Sequence, residues 1–258
     1  MRLGDLWRYR ELVYFLFWRD VKVRYKQTVL GAAWAVLQPA ATMIVFTVFF
    51  GRLAKISSDG IPYSLFAFSG LLPWQLFAFS LGESSNSLVS SKQLITKVYF
   101  PRLIIPISAV LVGLVDFGIA SLFLGGLMIY NHVIPGAGIV VLPLLVLFAV
   151  FSALAVGLFL SALNVQYRDV RYTIPFLIQI WMFATPIVYP SSLIPAKWRL
   201  LYGLNPMAGV VEGFRWALFG TSTASGALIL VSVATVALLF IAGLAYFNRM
   251  ERYFADLV

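Results

Sequence analysis

The sequence predicts an all-α integral membrane protein with six transmembrane helices, and three observations carry that reading. Hydrophobic residues make up 61% of the 258 residues and charged residues only 11%, with a mean hydropathy of +0.92. Soluble domains are close to half apolar and about a quarter charged, so charge this sparse could not cover a water-facing surface. The apolar residues also fall into six runs, each near the ~20 residues a helix needs to cross a hydrocarbon core about 30 Å thick. The period-2 alternation of a transmembrane β-barrel is missing.

Taken in chain order, residues 1–30 read as an amphipathic helix lying in the cytoplasmic interface. Trp7, Leu12, Phe15, Leu16 and Trp18 are interleaved with Arg8, Arg10, Arg19, Lys22 and Arg24, which puts an aromatic side in lipid and a basic side on headgroups. The apolar stretch there is short and lacks a small-residue cleavage site, so it does not read as a signal peptide. The first span covers about 34–51 and is ended by Arg52; the second covers about 62–83, with Glu83 at its end. The third, about 103–130, is broken only by Asp116, and the fourth, about 139–163, is closed by Asn164. The fifth covers about 172–189, with Pro175 near its start and Pro186 near its end; the sixth, about 227–247, contains neither charge nor proline.

Two connecting segments are not plain loops. Residues 84–102 hold Ser84, Ser85, Ser87, Ser90, Ser91 and Lys92, followed by an amphipathic piece that runs to Pro101. They read as a short cytoplasmic helix presented to a partner, or as a structured loop. Residues 190–220 carry Pro190, Pro195, Asn205-Pro206, Glu212 and Arg215. A charge at a helix centre costs about 2.5–3.5 kcal/mol on insertion scales, so this segment is a poor span. A pair of short re-entrant helices on the external side is expected instead, which requires surrounding protein or a water-filled cavity.

Six spans put both termini on one side, and the basic residues say which. Arg2, Arg8, Arg10, Arg19, Lys22, Arg24, Lys26, Lys92, Lys97, Arg102, Arg168, Arg171, Arg249 and Arg252 fall on one face, against Arg52, Lys55, Lys197, Arg199 and Arg215 on the other. The positive-inside rule makes the richer face, and both termini, cytoplasmic. The same distribution argues against nucleic acid as the partner of the +9 net charge, because the basic residues sit between apolar runs rather than on one continuous face.

Much chemistry is excluded. There is no cysteine, hence no disulfide framework and no thiolate. His132 is the single histidine and has no cluster with which to bind a metal. No GxxxxGK[ST] phosphate loop and no GxSxG elbow occur, and Glu83 and Asp116 are badly placed for paired-carboxylate glycosyl chemistry. No catalytic residue and no metal ligand are assigned.

Asp116, the one charge deep in a span, is either functional or a structural carboxyl bonded to a neighbouring hydroxyl or amide. The sequence shows no basic partner for it, and a proton-coupled carrier stays open on this residue alone. Aromatic residues form the other signal: Trp34, Phe46 and Phe49 in the first span, and Phe176, Trp181, Phe183 and Tyr189 in the fifth. They either line a path on which the C–H faces of sugar rings stack, or they face lipid and the interfacial belts.

Five motifs, in order along nearly the whole chain, resemble the polysaccharide ABC-2 exporter permeases. They are Arg24-Tyr25-Lys26-Gln27-Thr28-Val29-Leu30-Gly31 with Trp34 and Gln38-Pro39, Tyr99-Phe100-Pro101-Arg102 with Pro106, and Asn164 to Val170. Thr185-Pro186-Ile187-Val188-Tyr189-Pro190 and Asn205-Pro206-Met207 with Gly213-Phe214-Arg215 complete the set.

The resemblance implies an ABC-2 type transmembrane domain over residues 31–258, in a bacterial inner-membrane permease that is not itself an enzyme. The permease would form a homodimer and pair with two copies of a separate ATPase subunit. No cofactor is expected on this chain; ATP and Mg would sit on that partner. The substrate implied is a lipid-linked O-antigen, capsular or teichoic acid chain, pushed outward through a channel between protomers. Arg24, Tyr25 and Lys26 would lie at the cytoplasmic mouth. Glu83, Ser91, Lys92, Lys97, Arg168 and Asp169 would couple to the ATPase. Pro190, Asn205, Pro206, Glu212 and Arg215 would form the external gate. An ABC-2 permease for a drug or lipid, and a membrane-embedded transferase acting on lipid-linked sugars, are the alternatives.

Overall fold

The computed structural model describes residues 7–26, 31–220 and 226–254. Arg2 of the charge count and Gln27 to Leu30 of the first motif lie outside the described residues. Described from residue 7, helix α1 (Arg10–Tyr25) buries Leu16 and Val21 against the bundle and leaves Trp7, Tyr14, Phe15 and Trp18 exposed. That division suits an interfacial helix whose aromatics lie in lipid.

Helix α2 (Trp34–Phe46) is extended by a 3₁₀ turn before it and a π turn after it, making one rod from Gly31 to Leu53. Helix α3 (Tyr63–Ser90) is the hub of the molecule: 78% of its apolar window is buried, against 17% for the Gly31–Leu53 rod and 22% for the last span. The spans packed against α3 turn one face to it and the other outward.

The serine-rich stretch expected to open a loop instead forms the last two turns of α3, and only α4 (Lys92–Lys97) is a separate cytoplasmic-type helix. The reason lies in packing. Ser84, Ser85 and Ser87 are buried, and a Cβ added at Gly157 would lie 2.5 Å from the Ser84 hydroxyl. Small residues at a helix–helix contact let backbones approach in an apolar medium, where hydrophobicity does not drive association. These serines are an interhelical surface.

Helices α5 (Ile104–Tyr130), α6 (Leu142–Gln166), α7 (Val170–Phe183), α8 (Ala196–Tyr202), α9 (Pro206–Phe219) and α10 (Gly226–Met250) follow. Five helices among the described residues are long and apolar enough to cross a bilayer: Gly31–Leu53, Tyr63–Ser90, Ile104–Tyr130, Ala137–Gln166 and Gly226–Tyr253. The expected fifth run departs from this set, because α7 has only 14 residues, or about 21 Å of rise. It stops before Thr185-Pro186, where proline supplies no N–H and pushes the preceding residue out of the helical region.

One end of the bundle gathers α1, α4, the start of α5 and the end of α10. Leu16, Leu88, Ile95, Phe100, Phe247 and Phe254 share a buried cluster there, and Glu251 accepts from the Arg102 backbone N–H at 3.2 Å. The opposite end holds α9, packed against the starts of α3, α6 and α10. A close backbone crossing joins α10 to α6, where a Cβ on Gly243 would stand 2.5 Å from the Ala155 carbonyl oxygen. Because that neighbour is backbone, Gly243→Leu is expected to cost about 1–3 kcal/mol or more through overpacking. A lowered melting temperature in detergent checks this, and an unchanged one would mean the helices are not in contact.

Candidate functional site

A cavity of about 420 Å³ opens between α2, α3, α5 and α7. Its wall is mixed: Gln38, Thr42, Gln75 and Gln179 supply amides and a hydroxyl, while Trp34 and Trp74 supply flat aromatic surface. In a span, each polar side chain carries an insertion cost, so four converging on one space mark it as more than a packing gap.

Asp116, on α5, lines the same cavity and has the basic partner that the sequence did not reveal. Arg24, at the end of α1, grips it with a fork: Nη2 lies 2.5 Å from Oδ2 and Nε 3.3 Å from Oδ1. The Tyr25 hydroxyl also donates to Oδ1. Burial, reinforced by the adjacent Asp116, pushes the Tyr25 hydroxyl up to about 12, so it stays a donor near neutrality. The Arg24 guanidinium also sits 4.2 Å from the centre of the Phe79 ring. A second space of about 240 Å³, lined by Tyr25, Gly31 and Trp34, adjoins the cavity across Arg24 and Asp116. The reading of Asp116 as a carboxyl without a basic partner is corrected: the partner lies 92 residues away in sequence.

At the opposite end, two of the five motifs lock together. Asn205 caps α9 by accepting from the Met207 N–H at 3.1 Å. The same side-chain oxygen accepts from the Trp181 indole N–H at 2.9 Å, and its amide donates to the Ala184 carbonyl and the Thr185 hydroxyl, both at 3.0 Å. Glu212 and Arg215, both buried, pair at 3.3 Å within α9. Arg215 further donates to the Ile187 carbonyl at 2.9 Å and lies 3.5 Å from the Phe66 ring centre. Tyr63 donates to the Val188 carbonyl at 2.7 Å, and the Tyr189 and Tyr202 hydroxyls meet at 2.7 Å. Backbone that cannot form helix is thus satisfied by side chains from α3 and α9. Pro206 takes the first helical position of α9, where its missing N–H costs nothing, and Pro190 is buried beside this network.

The other expected residues divide by place. Trp34 lines the cavity, and Phe49, Phe176 and Phe183 are more than half exposed. Trp181 packs edge-on against Phe77, and Phe46 is buried against Phe50 in the core. Lys26 lies beside Arg24 and Tyr25 at the end of α1. Glu83 is exposed near the end of α3, while Ser91, Lys92 and Lys97 belong to the α3–α4 corner. Arg168 and Asp169 are exposed in the turn before α7 and form no ion pair among the described residues. Gln38 belongs to the first of the five motifs, whereas Gln75 and Gln179 are signalled only by being amides inside otherwise apolar runs.

The family model for the ABC-2 type transporter matches residues 11–219. An O-antigen export system permease protein of Myxococcus xanthus is 32% identical over 256 residues, covering 96% of each chain. One from Klebsiella pneumoniae is 30% identical over 241 residues, covering 93% of this chain and 92% of its own. A polysialic acid transport protein of Escherichia coli is 23% identical over 238 residues, covering 92% of both. A family match across most of the length, with relatives aligned end to end, makes the chain a multi-pass permease that belongs to the ABC-2 type transporter family.

Proposed function

We propose that the chain is the transmembrane subunit of an ATP-driven exporter that moves lipid-linked polysaccharide out of the cytoplasm across a bacterial inner membrane. The observation that carries this reading is the likeness to an O-antigen export permease along 96% of both chains. The cavity fits such a cargo, since Gln38, Gln75 and Gln179 match sugar hydroxyls and Trp34 and Trp74 match the C–H faces of the rings.

The channel is assigned to a homodimer. Trp34, which lines the cavity, and Phe176 and Phe183 on α7 stand exposed, a surface that a second copy would complete. The energy source is assigned to two copies of a separate ATPase carrying ATP and Mg, because this chain has no phosphate loop. Its docking surface is assigned to α4 with Lys92 and Lys97, the end of α3 with Glu83 and Ser91, and the Arg168-Asp169 turn. The Asn205–Arg215 network is assigned as the external gate, with α8 and α9 as its re-entrant pair. Six crossings follow if α7 together with residues 184–190 carries the chain across. Both termini then lie at the basic, cytoplasmic face, and the shared end of α1 and α10 supports this arrangement.

Deleting the chromosomal copy is expected to leave complete polymer inside the cell, detected by extracting lipid-linked glycan from inner membranes. Loss of polymer synthesis would point instead to a transferase. The purified chain alone is expected to release no phosphate from ATP, and measurable turnover would overturn the division of labour.

A further inference from the structure

We propose that Arg24, Asp116 and Tyr25 form a self-occupied anion site, in which Asp116 holds the Arg24 guanidinium until a phosphate group on the lipid end of the cargo displaces it. This rests on the polysaccharide-export reading and adds to it a recognition point for the carrier.

The geometry is that of a displaceable ligand. A guanidinium fork binds carboxylate and phosphate oxygens with the same two parallel N–H donors. Asp116 presents both its oxygens to that fork and so occupies the positions that two phosphate oxygens would take. Arg24 is 39% exposed at the side chain, and the 420 Å³ and 240 Å³ spaces meet across the pair. An incoming group can therefore reach the guanidinium without unpacking the core.

Tyr25 completes the exchange. Its hydroxyl already bonds Asp116, so the carboxylate keeps a donor after Arg24 turns away. The Phe79 ring under the guanidinium holds the cation in place by the attraction of an aromatic face for positive charge. A diphosphate carries more negative charge than one carboxylate and is favoured at Arg24. Arg24 belongs to α1 and Asp116 to α5, so occupancy of the site would remove one tie between these two helices.

The test uses opposite signs from the two halves of one ion pair. Binding of farnesyl diphosphate, inorganic pyrophosphate and farnesol to the full chain in detergent is measured by calorimetry for the native protein, Arg24→Gln, Asp116→Asn and the double variant. Asp116→Asn removes the internal competitor and is expected to tighten farnesyl diphosphate about tenfold, while Arg24→Gln weakens it about tenfold. A purely structural tie predicts that both substitutions weaken binding together. That result, or farnesol binding as well as the diphosphate, overturns the proposal.

Tighter binding of farnesyl diphosphate than of pyrophosphate assigns the anion to a lipid, and equal binding with the same opposed shifts assigns it to a free phosphate. Should Arg24→Gln fail to fold, the gain in Asp116→Asn decides alone. The export reading fails separately, if the deletion strain does not accumulate polymer.

Discussion

Replacing Arg215 by leucine is expected to be among the most damaging single changes in the protein. Breaking one side of a buried ion pair costs about 3–5 kcal/mol, because the remaining charge stays in a low-dielectric site. Here the loss extends beyond Glu212. Arg215 is also the donor to the Ile187 carbonyl at 2.9 Å, in backbone that makes no helix, and it covers the Phe66 ring. Glu212→Gln should cost less, since the guanidinium keeps its carbonyl and its aromatic face. The double change Glu212→Gln/Arg215→Leu should recover part of the loss, because no carboxylate is then stranded. Melting temperature and the monodisperse fraction in detergent measure all three. An Arg215→Leu protein as stable as the native one would show that the pair does not hold the 184–190 segment.

Asn205→Ala is the second large effect, expected at about 2–4 kcal/mol. A lost N-cap alone costs about 1 kcal/mol, and a buried donor left without its acceptor adds about 1–3. The donor in question is the Trp181 indole, which shares the Asn205 oxygen with the Met207 amide. Asn205→Asp separates these contributions. An aspartate keeps the cap and the acceptor for Trp181 but loses the two donor contacts to Ala184 and Thr185, so its stability should fall between alanine and native. If alanine and aspartate behave alike, the donor side of the amide dominates and the cap contributes little. An export assay on both variants would then show whether this joint must move, as a gate requires.

Both residues stand in motifs legible in the sequence, but their contacts are not. The sequence marked Asn205-Pro206 and the Glu212/Arg215 charges as misfits in an apolar segment, which is a local signal. It did not show that they converge on residues 184–188, because that convergence depends on contacts 20 to 28 residues apart that no helical period encodes. Asp116 is the sharper case. A lone carboxylate in a span is legible in any hydropathy trace, yet its partner lies on α1, outside the five candidate spans. The serines after Glu83 show the converse error. Polarity in the sequence suggested a loop, whereas small size, visible only against Gly157 on α6, decided that they pack as helix.

What the sequence by itself determined is the set of properties that bilayer physics reads residue by residue. Membrane-spanning character follows from apolar length against hydrocarbon thickness, and the absence of a phosphate loop from the order of the residues. Tertiary structure decided which interruptions meet: Arg24 with Asp116, Asn205 with Trp181 and Thr185, Arg215 with Ile187, and the three glutamines around one cavity. It also decided that the fifth run is a 14-residue helix, since the cost of irregular backbone after it depends on donors supplied from α3 and α9. Hydropathy is a sum over neighbours in the chain, whereas satisfying a polar group in lipid depends on neighbours in space.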